Sequence, residues 1–147
     1  MNIAIACDHG GFELKQAVLS HLDERGLAYR DFGCFSAESI DYPDFAFPAC
    51  EAVVRGEYER GILICTTGIG MSICANKVRG VRCALCTNLH MAEMTRRHND
   101  TNVLALGAHE VDVPLALEIV DTWLDTAYEG GRHARRVGKI MDYEQNH

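Results

Sequence analysis

The segment of this sequence best suited to chemistry is a cysteine followed by a loop rich in hydroxyl groups and glycine. Cys65 ends a short apolar run, and residues 66–70 (TTGIG) lead from it into a helical pattern. The amides of such a loop and the N-terminus of the following helix can hold an anion or an oxyanion. The same positive end favours the thiolate form of Cys65. We therefore interpret Cys65 as reactive, with an inert cysteine in a buried strand as the alternative.

The spacing of this loop excludes three familiar anion-binding motifs. No Gly-Lys-Ser/Thr sequence closes it, so it is not a P-loop. Ile73 stands where a dinucleotide fingerprint has its third glycine. A phosphatase loop needs an arginine six residues after the cysteine, and that position is Met71.

An acid and an imidazole, Asp8 and His9, follow the first apolar run of the chain. The glycines at 10 and 11 then let the chain turn into a helical pattern. At a strand tip, this pair suits acid–base chemistry. The alternative is a plain turn in which Asp8 caps the helix.

Basic and polar residues gather in two places in the second half of the chain. Arg132 and Arg136 would share one face of a helix and could grip a phosphate together, although a solvated basic face explains them equally well. His98 and Asn99 precede the last apolar run and offer both donors and acceptors, with a solvated helix end as the alternative. All four are candidate site residues.

Length and composition predict one globular domain, residues 1–147, with an apolar fraction of 48%. A net charge of −7 makes nucleic acid and anionic membranes poor partners, so we expect neither. The first apolar run is too short for a signal peptide, and no stretch is long enough to span a membrane. Seven cysteines cannot all pair within the chain, which favours reduced thiols and a cytoplasmic location.

Short apolar runs alternate with helical patterns along the whole chain. The predicted strands are residues 3–7, 28–32, 62–65, 82–86 and 103–106, and the predicted helices are 13–25, 44–54, 71–77, 90–97, 112–126 and 131–144. This alternation predicts an α/β fold: a doubly wound, Rossmann-like parallel sheet of five strands with helices on both faces and a C-terminal helix. Ligands bind such sheets at the carboxyl ends of the strands, where Asp8 and Cys65 lie.

The sequence offers no metal-ligand set of the usual spacing. Cys83 and Cys86 lie three apart in one strand and so face opposite sides, and no second pair of cysteines or histidines completes a zinc site. We therefore expect no metal and no cofactor. We expect the single tryptophan, Trp123, to lie in the core.

Five motifs occur in order over about residues 1–140: CDHGGF, DYPD, ILICTTGIG, RRHNDTNVLALG and YEGGRHARRV. Together they resemble the ribose-5-phosphate isomerase B family, which includes isomerases of allose 6-phosphate and galactose 6-phosphate. The resemblance implies an aldose–ketose isomerase that interconverts ribose 5-phosphate and ribulose 5-phosphate through an enediolate. Two alternatives stay open: an isomerase of allose 6-phosphate, galactose 6-phosphate or a tetrose phosphate, and a non-catalytic homologue that binds sugar phosphates.

The resemblance also implies roles for individual residues. Cys65 would be the base and His98 would open the sugar ring, with Asp8 and Thr67 as further catalytic residues. The implied substrate-binding residues are Asp8, His9, Thr66, Thr67, Gly68, Ile69, Gly70, Asn99, His109, Arg132 and Arg136. The family's site is shared between two chains, which implies a homodimer or a tetramer. Thr66 replaces a glycine usual in the family and His109 replaces an arginine; both departures bear on the identity of the sugar.

Overall fold

The computed structural model describes residues 1–147, and strands alternate with helices throughout. The strands are β1 (Asn2–Cys7), β2 (Ala28–Asp31), β3 (Arg60–Cys65), β4 (Cys83–Leu85) and β5 (Val103–Gly107). The helices are α1 (Phe12–Glu24), α2 (Pro43–Val54), α3 (Ile69–Lys77), α4 (Leu89–Asn99), α5 (Val113–Asp125) and α6 (Arg132–Asn146), with a 3₁₀ turn at His9–Gly11 before α1. The predicted α/β fold is confirmed. None of these helices combines the length and apolar character needed to cross a membrane.

All strand pairs of the sheet are parallel, and the strand order is β2-β1-β3-β5-β4. The register pairs Cys7 with Ile64, and Cys65 with Gly107. The ends of β1, β3 and β5 are therefore level with one another at the carboxyl edge. This register brings Asp8, the residue after β1, next to the residues that follow β3.

The two faces of the sheet carry separate hydrophobic clusters, as side-chain alternation along a strand requires. Ile62 and Ile64 pack on the side of α1 and α5, whereas Leu63 and Cys65 pack on the side of α2 and α3. Cys86 belongs to the first cluster and Cys83 packs against the second, so the prediction that they face apart is confirmed.

The predicted core position of Trp123 is also confirmed. Its side chain is fully buried, and its indole N–H donates to Thr101 Oγ1 at 3.0 Å.

The end of α4 differs from the prediction in a way that matters for the site. The sequence pattern ended this helix at residue 97, but it continues to Asn99, so His98 lies within its last turn. Asp100 then adopts a left-handed conformation with φ 47°, and its N–H donates to Arg96 O. A left-handed residue commonly ends a helix, and aspartate is one of the few residues besides glycine that adopt this conformation.

Candidate active site

A cavity of about 870 Å³ opens at the carboxyl edge of the sheet. It lies between the tips of β1 and β3, the start of α3 and the segment that leads into α2. The lining residues that the sequence analysis selected are Asp8, His9, Cys65, Thr66, Thr67, Ile69 and Gly70. The parallel register therefore brings together the two strand tips that were candidates for chemistry.

Cys65 ends β3 and is 4% exposed. The Gly68 N–H donates to its Sγ at 3.1 Å. Gly68 has φ 80°, a left-handed conformation that glycine adopts readily, and the turn brings its amide back to the sulfur. The sulfur therefore lies at the start of α3, within reach of an amide donor.

Cys50 and Cys86 lie in the hydrophobic clusters and do not line the cavity. Burial raises the pKa of Cys50 to about 12, and burial alone does the same to Cys86. Both thiols are therefore protonated and unreactive at neutral pH.

The first turn of α3 provides hydrogen-bond donors beside the sulfur. Thr67 Oγ1 accepts from the Ile69 N–H at 3.2 Å, and Gly68 already donates to Cys65. The next amides, at Gly70 and Met71, belong to the first turn and have no acceptor within the helix. This part of the cavity can therefore bind an oxyanion.

Asp8 both caps a turn and lines the cavity, so it fits the structural and the catalytic interpretation of its position. Its Oδ1 accepts from the Gly11 N–H at 2.9 Å, which caps the 3₁₀ turn, and the residue also lines the cavity. The neighbouring His9 is exposed, and its Nδ1 accepts from the Ile40 N–H at 3.2 Å. In neutral His9 the proton is consequently on Nε2, which leaves that nitrogen as a donor.

Six lining residues were missed by the sequence analysis. They are Ile40, Asp41, Tyr42, Pro43, Asp44 and Ile73. Tyr42 packs on the first turn of α3, because a Cβ added at Gly70 would lie 2.7 Å from its ring. The DYPD motif contains four of these residues and is the signal that could have found them.

The two departures from the family pattern occupy different positions. Thr66 lines the cavity, and a Cβ at Gly10 would clash with its Oγ1, so glycine at position 10 makes room for the threonine. The His109 N–H donates to Thr66 O at 3.0 Å, which ties its backbone to the loop. The side chain of His109 is exposed and does not line the cavity.

The remaining predicted site residues lie outside this cavity, on α4 and α6. Arg132 and Arg136 are exposed in the first turns of α6. Asn99 lines a second cavity of about 410 Å³, and its carbonyl accepts from Arg82 Nε at 3.0 Å. The charged residues that line the first cavity are all acidic: Asp8, Asp41 and Asp44.

His98 lies in a small cluster with His133 and Glu129. The two imidazole rings stack with centroids 4.0 Å apart and planes 10° from parallel. His98 Nε2 is 3.4 Å from Glu129 Oε2. The pKa of His133 is lowered, first by burial and then by the positive charge that His98 can carry; Arg132 and Arg136 act in the same direction, and Glu129 opposes them.

These three side chains offer potential metal-ligand atoms within 4.8 Å of one another. The sequence analysis named His98 but not this group of three, since Glu129 and His133 are far from His98 along the chain. A metal ion lies in the plane of each imidazole that binds it. Two nearly parallel rings 4.0 Å apart cannot both bind one ion unless a ring turns.

Comparison with known proteins gives one consistent result. Residues 3–140 match the family described as Ribose/Galactose Isomerase. The chain is 53% identical to the putative sugar phosphate isomerase YwlF of Bacillus subtilis, covering 99% of this chain and 98% of that protein. It is 50% identical to ribose-5-phosphate isomerase B of Escherichia coli, covering 97% and 96%. The structure of Clostridium thermocellum ribose-5-phosphate isomerase B superposes with a TM-score of 0.98 at 55% identity, covering 99% of both chains.

Proposed function

We propose that this chain, which belongs to the ribose/galactose isomerase family and is a sugar-phosphate isomerase of the ribose-5-phosphate isomerase B type, interconverts ribose 5-phosphate and ribulose 5-phosphate. The observation that supports this most is the environment of Cys65, a buried sulfur that accepts an amide hydrogen bond at the start of a helix. The cavity around it falls within the range of about 300–1,000 Å³ that is usual for small-molecule sites.

In the proposed reaction, the Cys65 thiolate removes the proton from C2 of the open-chain aldose. The electron pair of that C–H bond forms the C1=C2 double bond, and the carbonyl pair moves to O1. Thr67 and the amides of 68–70 stabilise the resulting enediolate. Asp8 exchanges a proton with the substrate oxygens, and the proton returns to C1 to give the ketose. The proposal needs no metal and no cofactor, because amide donors meet the developing charge.

The substrate also carries a phosphate, and the cavity lining contains no lysine or arginine. We propose that Arg132 and Arg136 of a second copy of the chain bind this phosphate, and that His98 of the same copy opens the sugar ring. The active form would then be at least a homodimer. Ile69 and Ile73, on α3 beside the cavity, are 53% and 56% exposed, as expected of a surface that a partner covers.

The cellular location is proposed from the cysteines. All seven are free thiols, which supports a reducing compartment such as the cytoplasm.

The sugar is tested by measuring kcat/KM for ribose 5-phosphate, allose 6-phosphate, galactose 6-phosphate and erythrose 4-phosphate. We expect the highest value with ribose 5-phosphate. A higher value with another sugar would reassign the substrate, and turnover of none would favour the non-catalytic homologue. Replacing His109 with arginine, the residue usual in the family, should lower KM for the phosphate substrate with little change in kcat if position 109 approaches the phosphate.

A further inference from the structure

We infer that Glu129 is a positioning residue that orients His98 for opening the sugar ring. This inference rests on the role proposed above for His98. Glu129 belongs to the turn between α5 and α6, outside both cavities. It could not be selected from its sequence position, where it reads as one more exposed acid.

The turn and the end of α4 are joined through both backbone and side chain. The Glu129 N–H donates to Arg97 O at 3.1 Å. Its Oε2 accepts from Arg97 Nε at 2.9 Å and lies 3.4 Å from His98 Nε2. The carboxylate is thereby held close to Nε2 of the imidazole.

A second contact holds the face of the His98 ring. Gly130 and Gly131 have φ 68° and 57°, a left-handed pair that side-chain-bearing residues rarely adopt. The His133 N–H donates to Gly130 O at 3.1 Å, and the His133 ring stacks on His98. One glycine turn therefore supplies both the carboxylate beside Nε2 and the ring that stacks on His98.

We infer the position of the proton on neutral His98 from the nearness of this carboxylate to Nε2. A carboxylate beside Nε2 favours the tautomer protonated there, which leaves Nδ1 as the base. In ring opening, the anomeric hydroxyl loses its proton to Nδ1 and the bond from C1 to the ring oxygen breaks. The electron pair of that bond goes to the ring oxygen, which takes up a proton, so the net change moves one proton between two substrate oxygens.

The carboxylate also stabilises the imidazolium that forms during this transfer. The charged or titratable side chains that contact this pair are Arg97, which pairs with Glu129, and His133, which stacks on His98. The same arrangement would operate whether His98 serves its own chain or a partner's cavity.

Two substrates separate ring opening from proton transfer at carbon. Ribose 5-phosphate is mostly cyclic in solution, whereas ribulose 5-phosphate stays open because its C5 oxygen carries the phosphate. Glu129→Gln should lower kcat/KM from ribose 5-phosphate about tenfold or more. It should leave the exchange of solvent deuterium into C1 of ribulose 5-phosphate within about twofold of wild type, because that exchange needs only the base at carbon.

Glu93→Gln is the matched control. Glu93 is also a partner of Arg97, through Oε1 at 3.2 Å from Nη1, but it does not contact His98. Both rates should remain within about twofold of wild type in this variant. In ¹⁵N spectra, neutral His98 should carry its proton on Nε2 in wild type and in Glu93→Gln, and should become a mixture of tautomers in Glu129→Gln.

Equal losses of both reactions in Glu129→Gln, or no loss of either, would overturn the positioning role. An unchanged tautomer of His98 in that variant would overturn it as well. Two other results would instead contradict the proposed function. Cys65→Ala would retain deuterium exchange, or the wild-type protein would turn over neither ribose 5-phosphate nor ribulose 5-phosphate. The ¹⁵N measurement still decides the role of Glu129 in that case.

Discussion

The two regions that carry candidate chemistry are built in opposite ways. The cavity lies at the carboxyl edge of the sheet, its Cys65 is 4% exposed, and its charged lining residues are acids. The cluster around His98 lies on two helices and a glycine turn, and the arginines beside it are exposed. The first region has a buried thiol and amide donors but no cation for a phosphate. The second region has the arginines of α6 and the imidazole of His98, but it does not contact Cys65 or the 66–70 loop.

This difference indicates that neither region is sufficient for turnover of a cyclic sugar phosphate. Proton transfer at carbon needs only the buried region, where sheet register determines positions closely. Phosphate binding and ring opening need groups that can approach the substrate from outside the sheet. A second copy of the chain, with its α4 and α6 placed over the cavity, would supply them.

The largest expected effect comes from removing the thiol that we propose as the base. Cys65→Ala should lower kcat by at least about a hundredfold, because general-base catalysis at carbon is lost, while the Kd for ribulose 5-phosphate stays nearly unchanged. Steady-state kinetics and calorimetric titration measure the two quantities. Cys83→Ala is the control, since Cys83 packs against the same hydrophobic cluster on β4, outside the cavity. Activity of Cys65→Ala within tenfold of wild type would remove the cysteine from the mechanism.

Mixing two inactive variants tests whether the two regions meet between chains. Cys65→Ala and His98→Ala homodimers, exchanged at equal concentration, should regain about a quarter of wild-type activity on ribose 5-phosphate, because half the dimers are mixed and each has one intact site. Native mass spectrometry verifies the exchange. If exchange is complete and activity stays at the level of the parents, each site is formed within one chain.

The sequence predicted the residues of the cavity better than the residues of the cluster around His98. Asp8, Cys65 and the 66–70 loop follow short apolar strands, and strand periodicity is enough to place them at one edge of the sheet. Tyr42 was missed because the segment before α2 has no periodicity that shows where it folds. The approach of Glu129 to His98 depends on two left-handed glycines, and no local pattern reveals which helix such a turn will contact.

A double-mutant cycle measures how closely the cavity region is packed. Gly10→Ala would place a Cβ against Thr66 Oγ1 and should destabilise the protein by about 1–3 kcal/mol. In a protein that also carries Thr66→Gly, Gly10→Ala should lower the free energy of unfolding by less. The coupling energy between the two substitutions should be about 0.5–3 kcal/mol. Urea unfolding of the four proteins gives these values.

The control for this cycle comes from the helical region. Gly138 lies in α6, and a Cβ there would meet nothing within 4 Å. Gly138→Ala should therefore stabilise the protein by about 0.5–1 kcal/mol through the better helix propensity of alanine. If the changes in unfolding free energy caused by Gly10→Ala and Thr66→Gly simply add, Thr66 turns away from Gly10 in solution.

The smallest expected effect concerns how the cluster responds to acid. The folded state lowers the pKa of His133 below its usual 6.5, first through burial and then through the charge of His98. Above pH 6.5 the ring is neutral in both the folded and unfolded states, so no penalty arises. As the pH falls through 6.5, the unfolded chain binds the proton more readily than the folded chain, and stability is lost. The fall in Tm between pH 7.5 and pH 5.5 should therefore be smaller in His133→Gln than in wild type. His90→Gln, at an exposed histidine of α4, should keep the wild-type fall. An equal fall in all three proteins would show that His133 takes up its proton as easily in the folded cluster as in the unfolded chain.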